Sequence, residues 1–503
     1  MSDANPAGPG VPAAISGIEV MRGVGAVRAK PFWADAWDRV LTRRGAVLGL
    51  AWIAVIGFFA VFAPLVANAH PLTLVRVLPG GGQVREWPLL ANLSATDWAL
   101  LVGFAVGVPW ILAGPRSLSR GQRIGVFLVA ALQVGAVIVL AGAVVGWAQD
   151  AARAEWLKGF ARGDGGRWAI ISAIGAAAAL LAAAVPSVDS LRLRTAAALL
   201  AFAVGVGLSG STGGATLVNF DRYQEDEAAG TIRDVTWTIV PWSPAFSRSD
   251  MVAIAPGSRV EDVPQLAQYK GTSFGARRVI LGTDALGGDV LSQMLWACRL
   301  SISIGLVSTG ISVLIGVTMG AVMGYFGGKV DLVLFRIVEI FMAVPVLFLL
   351  IVAAGVLPRD TYVMMAIIGC FSWTGAARFT RAEFMKLRNQ DFVQAAKATG
   401  LPLRAILFRH MLPNGVTPVL VDASFAIAAA ISIEATLSFL GLGPDGQASW
   451  GKLLSSATAA TGTFVWWLAV FPGLAIFLSV LSYNLLGEAM RDAIDPKLRK
   501  AAH

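Results

Sequence analysis

The chain has 503 residues, 56% of them hydrophobic and 14% charged. A soluble domain carries about 25% charged residues, so a large soluble helical protein is set aside in favour of a chain with a lipid-facing surface. The formal net charge of +9 would raise nucleic acid as a partner in a soluble protein, but in so apolar a chain it reads as basic residues gathered in the loops on one side of a bilayer, and no nucleic acid is expected.

In chain order, residues 1–45 open with an Ala-, Gly- and Pro-rich stretch that reads as disordered and cytoplasmic, without a cleavable signal peptide. Arg39, Arg43 and Arg44 then precede the first apolar run, which serves as an uncleaved signal anchor. Ten spans follow, at 46–66, 98–114, 124–148, 168–188, 195–216, 300–324, 337–357, 361–377, 415–442 and 464–487. Each approaches the roughly 20 apolar residues that a helix needs to cross a hydrocarbon core about 30 Å thick. With the N-terminus inside, the cytoplasmic segments hold 24 of the 40 Lys and Arg residues. Half of the remaining 16 fall in the long segment 211–299, and loops of that length escape the positive-inside bias. Segment 149–167 is the exception, with Arg153, Lys158, Arg162 and Arg167 on the outside.

Residues 67–216 read as an inserted membrane region, with four spans between 98 and 216, and 217–299 as a periplasmic loop with a little structure of its own. Residues 300–498 form the main transmembrane domain. Cys298 and Cys370 allow at most one disulfide, and Cys370, in an apolar run, reads as a small core residue. The three histidines form no metal-ligand cluster, so no metal site is expected.

The segment 378–414 carries the functional signal. Phe384, Leu387, Phe392, Ala395 and Ala396 recur at near-helical spacing, with Arg381, Lys386, Arg388 and Lys397 between them. Gly400 follows the helical run where a left-handed residue commonly ends a helix. Pro402 suits the first turn of a new short helix, and Pro413 and Asn414 close it. Helix, sharp turn, short helix and turn, projecting between two spans, suit a dock for a soluble partner. From the residues alone, an interfacial helix resting on anionic lipid is the standing alternative.

This segment resembles the "EAA" loop of ABC importer permeases. Gln394-Ala395-Ala396 leads to Gly400, and Leu412-Pro413 closes the loop at the family's distance; Gln394 stands where the family has an acid, so any ion pair of that acid is lost. Leu281-Gly282-Thr283-Asp284 with Gly287-Gly288-Asp289-Val290-Leu291-Ser292 is similar to the dipeptide, oligopeptide and nickel branch, where Arg is usual at Gly288. So are Gly324-Tyr325-Phe326-Gly327-Gly328 with Asp331, Glu434-Ala435-Thr436-Leu437-Ser438-Phe439-Leu440-Gly441-Leu442-Gly443, Asn484-Leu485-Leu486-Gly487 and Arg491-Asp492-Ala493-Ile494-Asp495-Pro496. The likeness covers about 278–498 and the first span ending Phe62-Ala63-Pro64-Leu65.

The resemblance implies an all-α integral membrane protein: a six-helix permease core with about four inserted helices, in a bacterial inner membrane with both termini cytoplasmic. It implies half of a translocation pore for peptides, nickel or another small solute, working by alternating access. A homologous permease, two ABC ATPase subunits and a periplasmic substrate-binding protein would be its partners, with membrane lipid around it. ATP and magnesium would reside on the ATPases, leaving this chain without cofactor or catalytic residue. Gln394, Ala395, Ala396, Gly400, Leu401, Pro402, Arg404, Leu412 and Pro413 would then form the coupling loop. The inserted helices read as a lipid-facing annex, with a docking surface for another membrane subunit as the alternative. An ion-coupled secondary transporter is the rival function, disfavoured by the loop and by the lack of a clear internal repeat.

Charges inside spans are functional candidates because lipid penalises them. Asp422 and Glu434 qualify as pore or gating residues, as does Glu339, although local hydrogen bonding that fixes helix packing is the favoured reading of such residues. Pro345, within the seventh span, is a candidate kink and gate. Two motifs are decoys. Gly446–Lys452 nearly spells a phosphate loop, but Leu453 stands where a hydroxyl would meet magnesium and no strand precedes it. Gly205-Val206-Gly207-Leu208-Ser209-Gly210 matches a dinucleotide pattern but ends an apolar helix, where small residues pack helices together.

Overall fold

A computed structural model describes residues 32–78, 82–115, 118–150, 155–185, 190–211, 220, 222–270, 274–459 and 464–494. The N-terminal stretch that reads as disordered, and the Asp495-Pro496 end of the last motif, lie outside the described residues.

The first helices are α1 (Phe32–Thr42) and α2 (Arg44–Val66). Strands β1 (Thr73–Val77) and β2 (Gln83–Glu86) come next, followed by α3 (Ala95–Ala113), α4 (Arg120–Gln149), α5 (Glu155–Arg162), α6 (Asp164–Ala184) and α7 (Leu191–Ser211). After α8 (Arg222–Ala228) and β3 (Ile232–Thr236) the chain enters α9 (Val290–Phe326), α10 (Gly328–Ala343), α11 (Val346–Val356), α12 (Thr361–Phe371), α13 (Thr374–Leu387) and α14 (Asp391–Ala398). It ends with α15 (Thr417–Phe439), α16 (Trp450–Ala459) and α17 (Trp466–Ile494). Eight helices are long and apolar enough to cross a bilayer singly. Two bent pairs, α10 with α11 at 80° and α12 with α13 at 43°, raise the number to ten. The protein is therefore an all-α membrane protein, as its sequence implies.

The core is built on α9, which packs against α2, α12, α13 and α15, while α15 and α2 both pack against α17. At 37 residues, α9 is about 55 Å long at 1.5 Å per residue and overhangs any bilayer core. It starts at Val290, ten residues before the apolar run at Leu300. Its N-cap is Asp289, whose carboxylate accepts from Ser292 N at 2.7 Å. Arg299 interrupts the apolar run but not the helix. Burial pushes the Asp289 carboxyl up to about 7.

The described residues of 67–94 and 220–289 share one compact cap on the N-terminal side of α9. The strands pair in the order β2-β1-β3, both pairs antiparallel. Trp242, Phe246, Met251, Leu266 and Phe274 form a buried core with Ala63, Ala67 and Leu295 of the helix ends. Residues 67–94 thus belong to this cap and not to the inserted helices. The part read as a loop with little structure has an apolar core of its own. Its signal was weak because most of it is irregular, closed by side-chain bonds such as Trp242 Nε1 to Arg278 O and Thr238 Oγ1 to Asn68 O.

The inserted helices α4, α6 and α7 pack on one another through Val137, Ala141, Ile171 and Val206. The glycine pattern at 205–210 serves this packing. A Cβ on Gly205 would stand 3.2 Å from Val137 Cβ, and one on Gly210 would strike the Trp168 ring. Of the inserted spans, α3 packs against α2. Asp97, in its first turn, bonds Arg299 of α9 at 2.5 Å. The basic segment 149–167 contains α5, whose Trp156 is 74% exposed beside Lys158 and Arg162; that is the form of an interfacial helix. Cys370 is exposed rather than buried, and Cys298 is buried. In lipid an apolar pattern marks faces turned outward as well as inward, which is why the expectation for Cys370 failed.

Candidate functional site

The last third of α9 holds Gly316, Gly320 and Gly324, one residue per turn along one face. A Cβ at each would press into α13: 2.7 Å from Trp373 O, 2.5 Å from Ala377 O and 2.6 Å from Arg381 O. The two backbones therefore touch, as small residues allow between membrane helices. This stripe was legible as a Gly-x-x-x-Gly-x-x-x-Gly repeat and escaped the sequence reading. At its end Gly327, at φ +63°, terminates α9 and turns the chain into α10. Asp331 of α10 then receives a two-pronged ion pair from Arg381 of α13, at 2.5 and 2.7 Å. The same guanidinium lies 4.5 Å from the Phe335 ring centre.

On this clamped base stands the 378–414 segment. Phe384, Leu387, Val393, Ala396, Ile406 and Met411 form a small buried core, with Tyr325 and Leu412 packed against it. Gln394 donates to Arg388 O at 2.9 Å, closing the end of α13. A carboxylate could not donate there, so the residue that departs from the family pattern has a bond of its own. Ala395 faces outward and Ala396 inward. Gly400 has φ +72°; its N–H bonds Lys397 O and that of Leu401 bonds Ala396 O. These are the paired bonds of a Schellman cap. Lys397 Nζ lies 5.2 Å from the Tyr325 ring centre, tying the segment to α9.

Beyond the cap, Pro402 is extended and the chain becomes helical again at Leu403. It does not close at Pro413 and Asn414. A wide π-helical stretch, Ile406–Met411, leads into Leu412–Gly415 and then, through Val416 N to Leu412 O, into α15. Proline lacks an N–H, so it sits in the first turn after the widened stretch without losing a helical bond. Leu401 is 38% exposed, Leu403 40% and Phe408 67%, giving an apolar projection beside exposed Arg404 and Arg409. Phe392 is exposed as well, and Leu412 is half-buried against the small core. Phe408 and Leu403 were not singled out from sequence, although an exposed Phe in a basic loop was the available signal.

The candidates within the spans part company. Asp422 lines a cavity of about 270 Å³ with Ser308, Thr309, Ser312, Ser372 and Phe425. Glu434 is not there. It is fully buried and accepts from Ser438 and Ser449, both at 2.7 Å, which fastens α15 to the segment leading into α16. Gly451 lies so close that a Cβ would strike Ala435 O. Trp450 donates to Met294 O at 3.1 Å, and Lys452 binds the carbonyls of Pro444 and Gln447. The apparent phosphate loop is thus an interhelical lock. Pro345 starts α11 at the 80° break, and Glu339 pairs locally with Arg336 at 2.6 Å on an exposed face. No group of three or more His, Cys, Asp or Glu residues able to hold a metal occurs among the described residues.

Residues 316–500 match the family described as binding-protein-dependent transport system inner membrane component, and residues 31–75 match the N-terminal TM domain of oligopeptide transport permease C. The chain is 35% identical over 267 residues to the oligopeptide transport system permease protein OppC of Haemophilus influenzae, covering 52% of this chain and 80% of that one. It is 37% identical over 220 residues to OppC of Bacillus subtilis, covering 44% and 72%. It is also 37% identical over 229 residues to the di/tripeptide transport system permease protein DppC of Pseudomonas aeruginosa, covering 45% and 75%. A solved structure described as inward-facing conformations of the MetNI methionine ABC transporter is similar at TM-score 0.33 and 17% identity, over 40% of this chain and 98% of that chain, too weak a likeness to support an argument.

Proposed function

The chain belongs to the binding-protein-dependent inner membrane permeases of the oligopeptide and dipeptide transport type, and on that premise we propose that it forms half of the translocation pore of an ATP-driven importer of peptides. A homologous permease supplies the other half, and a substrate-binding protein delivers solute to the cap built on β1, β2 and β3. Both termini and the 378–414 segment face the cytoplasm. Two ABC ATPase subunits, which carry ATP and magnesium, dock on that segment.

The observation that carries this reading is the apolar projection of Leu401, Leu403 and Phe408, exposed in the chain alone and seated on a buried core of its own. A projection that merely dangled would transmit no displacement. This one is tied by the Gly400 cap, the Lys397–Tyr325 contact and the Arg381–Asp331 pair to α9, α10 and α13. Closure of the ATPases can then tilt those helices, provided the dock differs between open and closed states. The test is purification of the tagged chain in mild detergent, with and without Phe408→Asp and Leu403→Asp. Co-purifying P-loop ATPases and a second permease, with the ATPases lost from the double variant, are expected. A chain that purifies alone and drives proton- or sodium-dependent uptake in liposomes would overturn the reading in favour of an ion-coupled transporter.

A further inference from the structure

The cavity beside Asp422 lies between α9, α12 and α15, about 21–27 Å along α9 from its Phe326 end at 1.5 Å per residue. Its polar lining is one carboxylate and four hydroxyls: Asp422, Ser308, Thr309, Ser312 and Ser372. The Ser308 hydroxyl is committed to Met365 O at 3.0 Å. The buried Thr309 hydroxyl has no partner among the described residues. Arg378 and Arg491 exert their fields on Asp422; among the described residues neither pairs with it, and Arg491 lies over the Phe425 ring instead, 5.0 Å from its centre.

A carboxylate held in a membrane cavity, without a paired cation among the described residues, suits a guest that brings positive charge and N–H donors. We propose that this cavity is a binding station for the primary ammonium group of the transported solute, with Asp422 as its counter-charge. The inference rests on the permease reading and names the part of the solute that the pore recognises. The ammonium could be the α-amine of a peptide or the end of a lysine side chain, and the two are separable by acetylation.

The test is uptake by the assembled complex in proteoliposomes, with one binding protein throughout so that its selectivity cancels between variants. The probes are trialanine, N-acetyl-trialanine and an N-acetylated tripeptide containing lysine. Asp422→Asn should raise the KM of ammonium-bearing peptides about tenfold or more, the scale of a lost hydrogen bond to a charged group, and leave N-acetyl-trialanine within about twofold. Asp422→Ser should move the same KM in the same direction, and it carries the test if Asp422→Asn does not assemble. A response confined to trialanine identifies the α-amine; one confined to the lysine peptide identifies the side chain. Equal changes for all three probes, or none, overturn the station. A wild-type complex that hydrolyses ATP yet imports no probe overturns the permease reading itself.

Discussion

Replacing Gly400 by valine should uncouple ATP hydrolysis from transport while the protein still inserts. The glycine sits at φ +72°, a region that costs an L-residue roughly 1–2 kcal/mol and a β-branched residue more. No heavy atom lies within 4 Å of where its Cβ would be, so the penalty is one of backbone conformation and not of space. A loss of about 2 kcal/mol lowers the population of the capped turn roughly thirtyfold, since 1.4 kcal/mol is tenfold. The bonds from Gly400 N to Lys397 O and from Leu401 N to Ala396 O would go with it, and the projection at Leu403 and Phe408 would lose its fixed direction. Asparagine tolerates the left-handed region and fits the same open space, so Gly400→Asn should stay close to wild type. The assay is solute imported per ATP hydrolysed by the assembled complex in proteoliposomes. Equal ratios for wild type, Gly400→Asn and Gly400→Val would refute the reasoning.

In α9, Gly320→Val should lower the melting temperature in detergent by a loss of about 1–3 kcal/mol from overpacking, because its Cβ would lie 2.5 Å from Ala377 O. Gly310→Ala, with open space at the same atom, should be neutral or stabilising by about 0.5–1 kcal/mol. Asp97→Ala should strand Arg299 in a largely apolar setting at a cost of about 3–5 kcal/mol, as for other broken buried pairs; protease cleavage between α3 and α4, faster in the variant than in wild type, is the check. Asp289 is a pH-sensitive site: its folded carboxyl is pushed up to about 7 from 3.8 by burial, so between those values the native state holds a proton that the unfolded state has released. Its stabilising share is complete below pH 3.8 and is lost as pH rises to about 7. Asp289→Asn keeps an N-cap acceptor, and the melting temperature of wild type should fall relative to that of the variant as pH rises across this window and level off above it. Taking the difference cancels His70, whose pKa burial lowers to about 4 and whose share is lost in the opposite direction, as pH falls from 6.5.

By itself the sequence determined the spans, because a bilayer demands long uncharged helices and little else of that length is so apolar. It also determined the Gly400 turn, since left-handed backbone after a helix selects glycine and leaves its mark at a single position. The ends of elements were less legible. Arg299 hid the first turns of α9, and Pro413 suggested a stop where a π-helical stretch let the helix continue. The tertiary structure decided matters that depend on residues far apart in the chain: the cap assembled from the described residues of 67–94 and 220–289, the pairing of Asp97 with Arg299, and the small core under Phe408. It also separated Asp422 from Glu434. Both are acids in one helix and look alike in sequence, yet one opens on a cavity and the other is spent on two serine hydroxyls. That difference is set by what α9, α12 and α16 bring opposite each side chain, which no local pattern encodes.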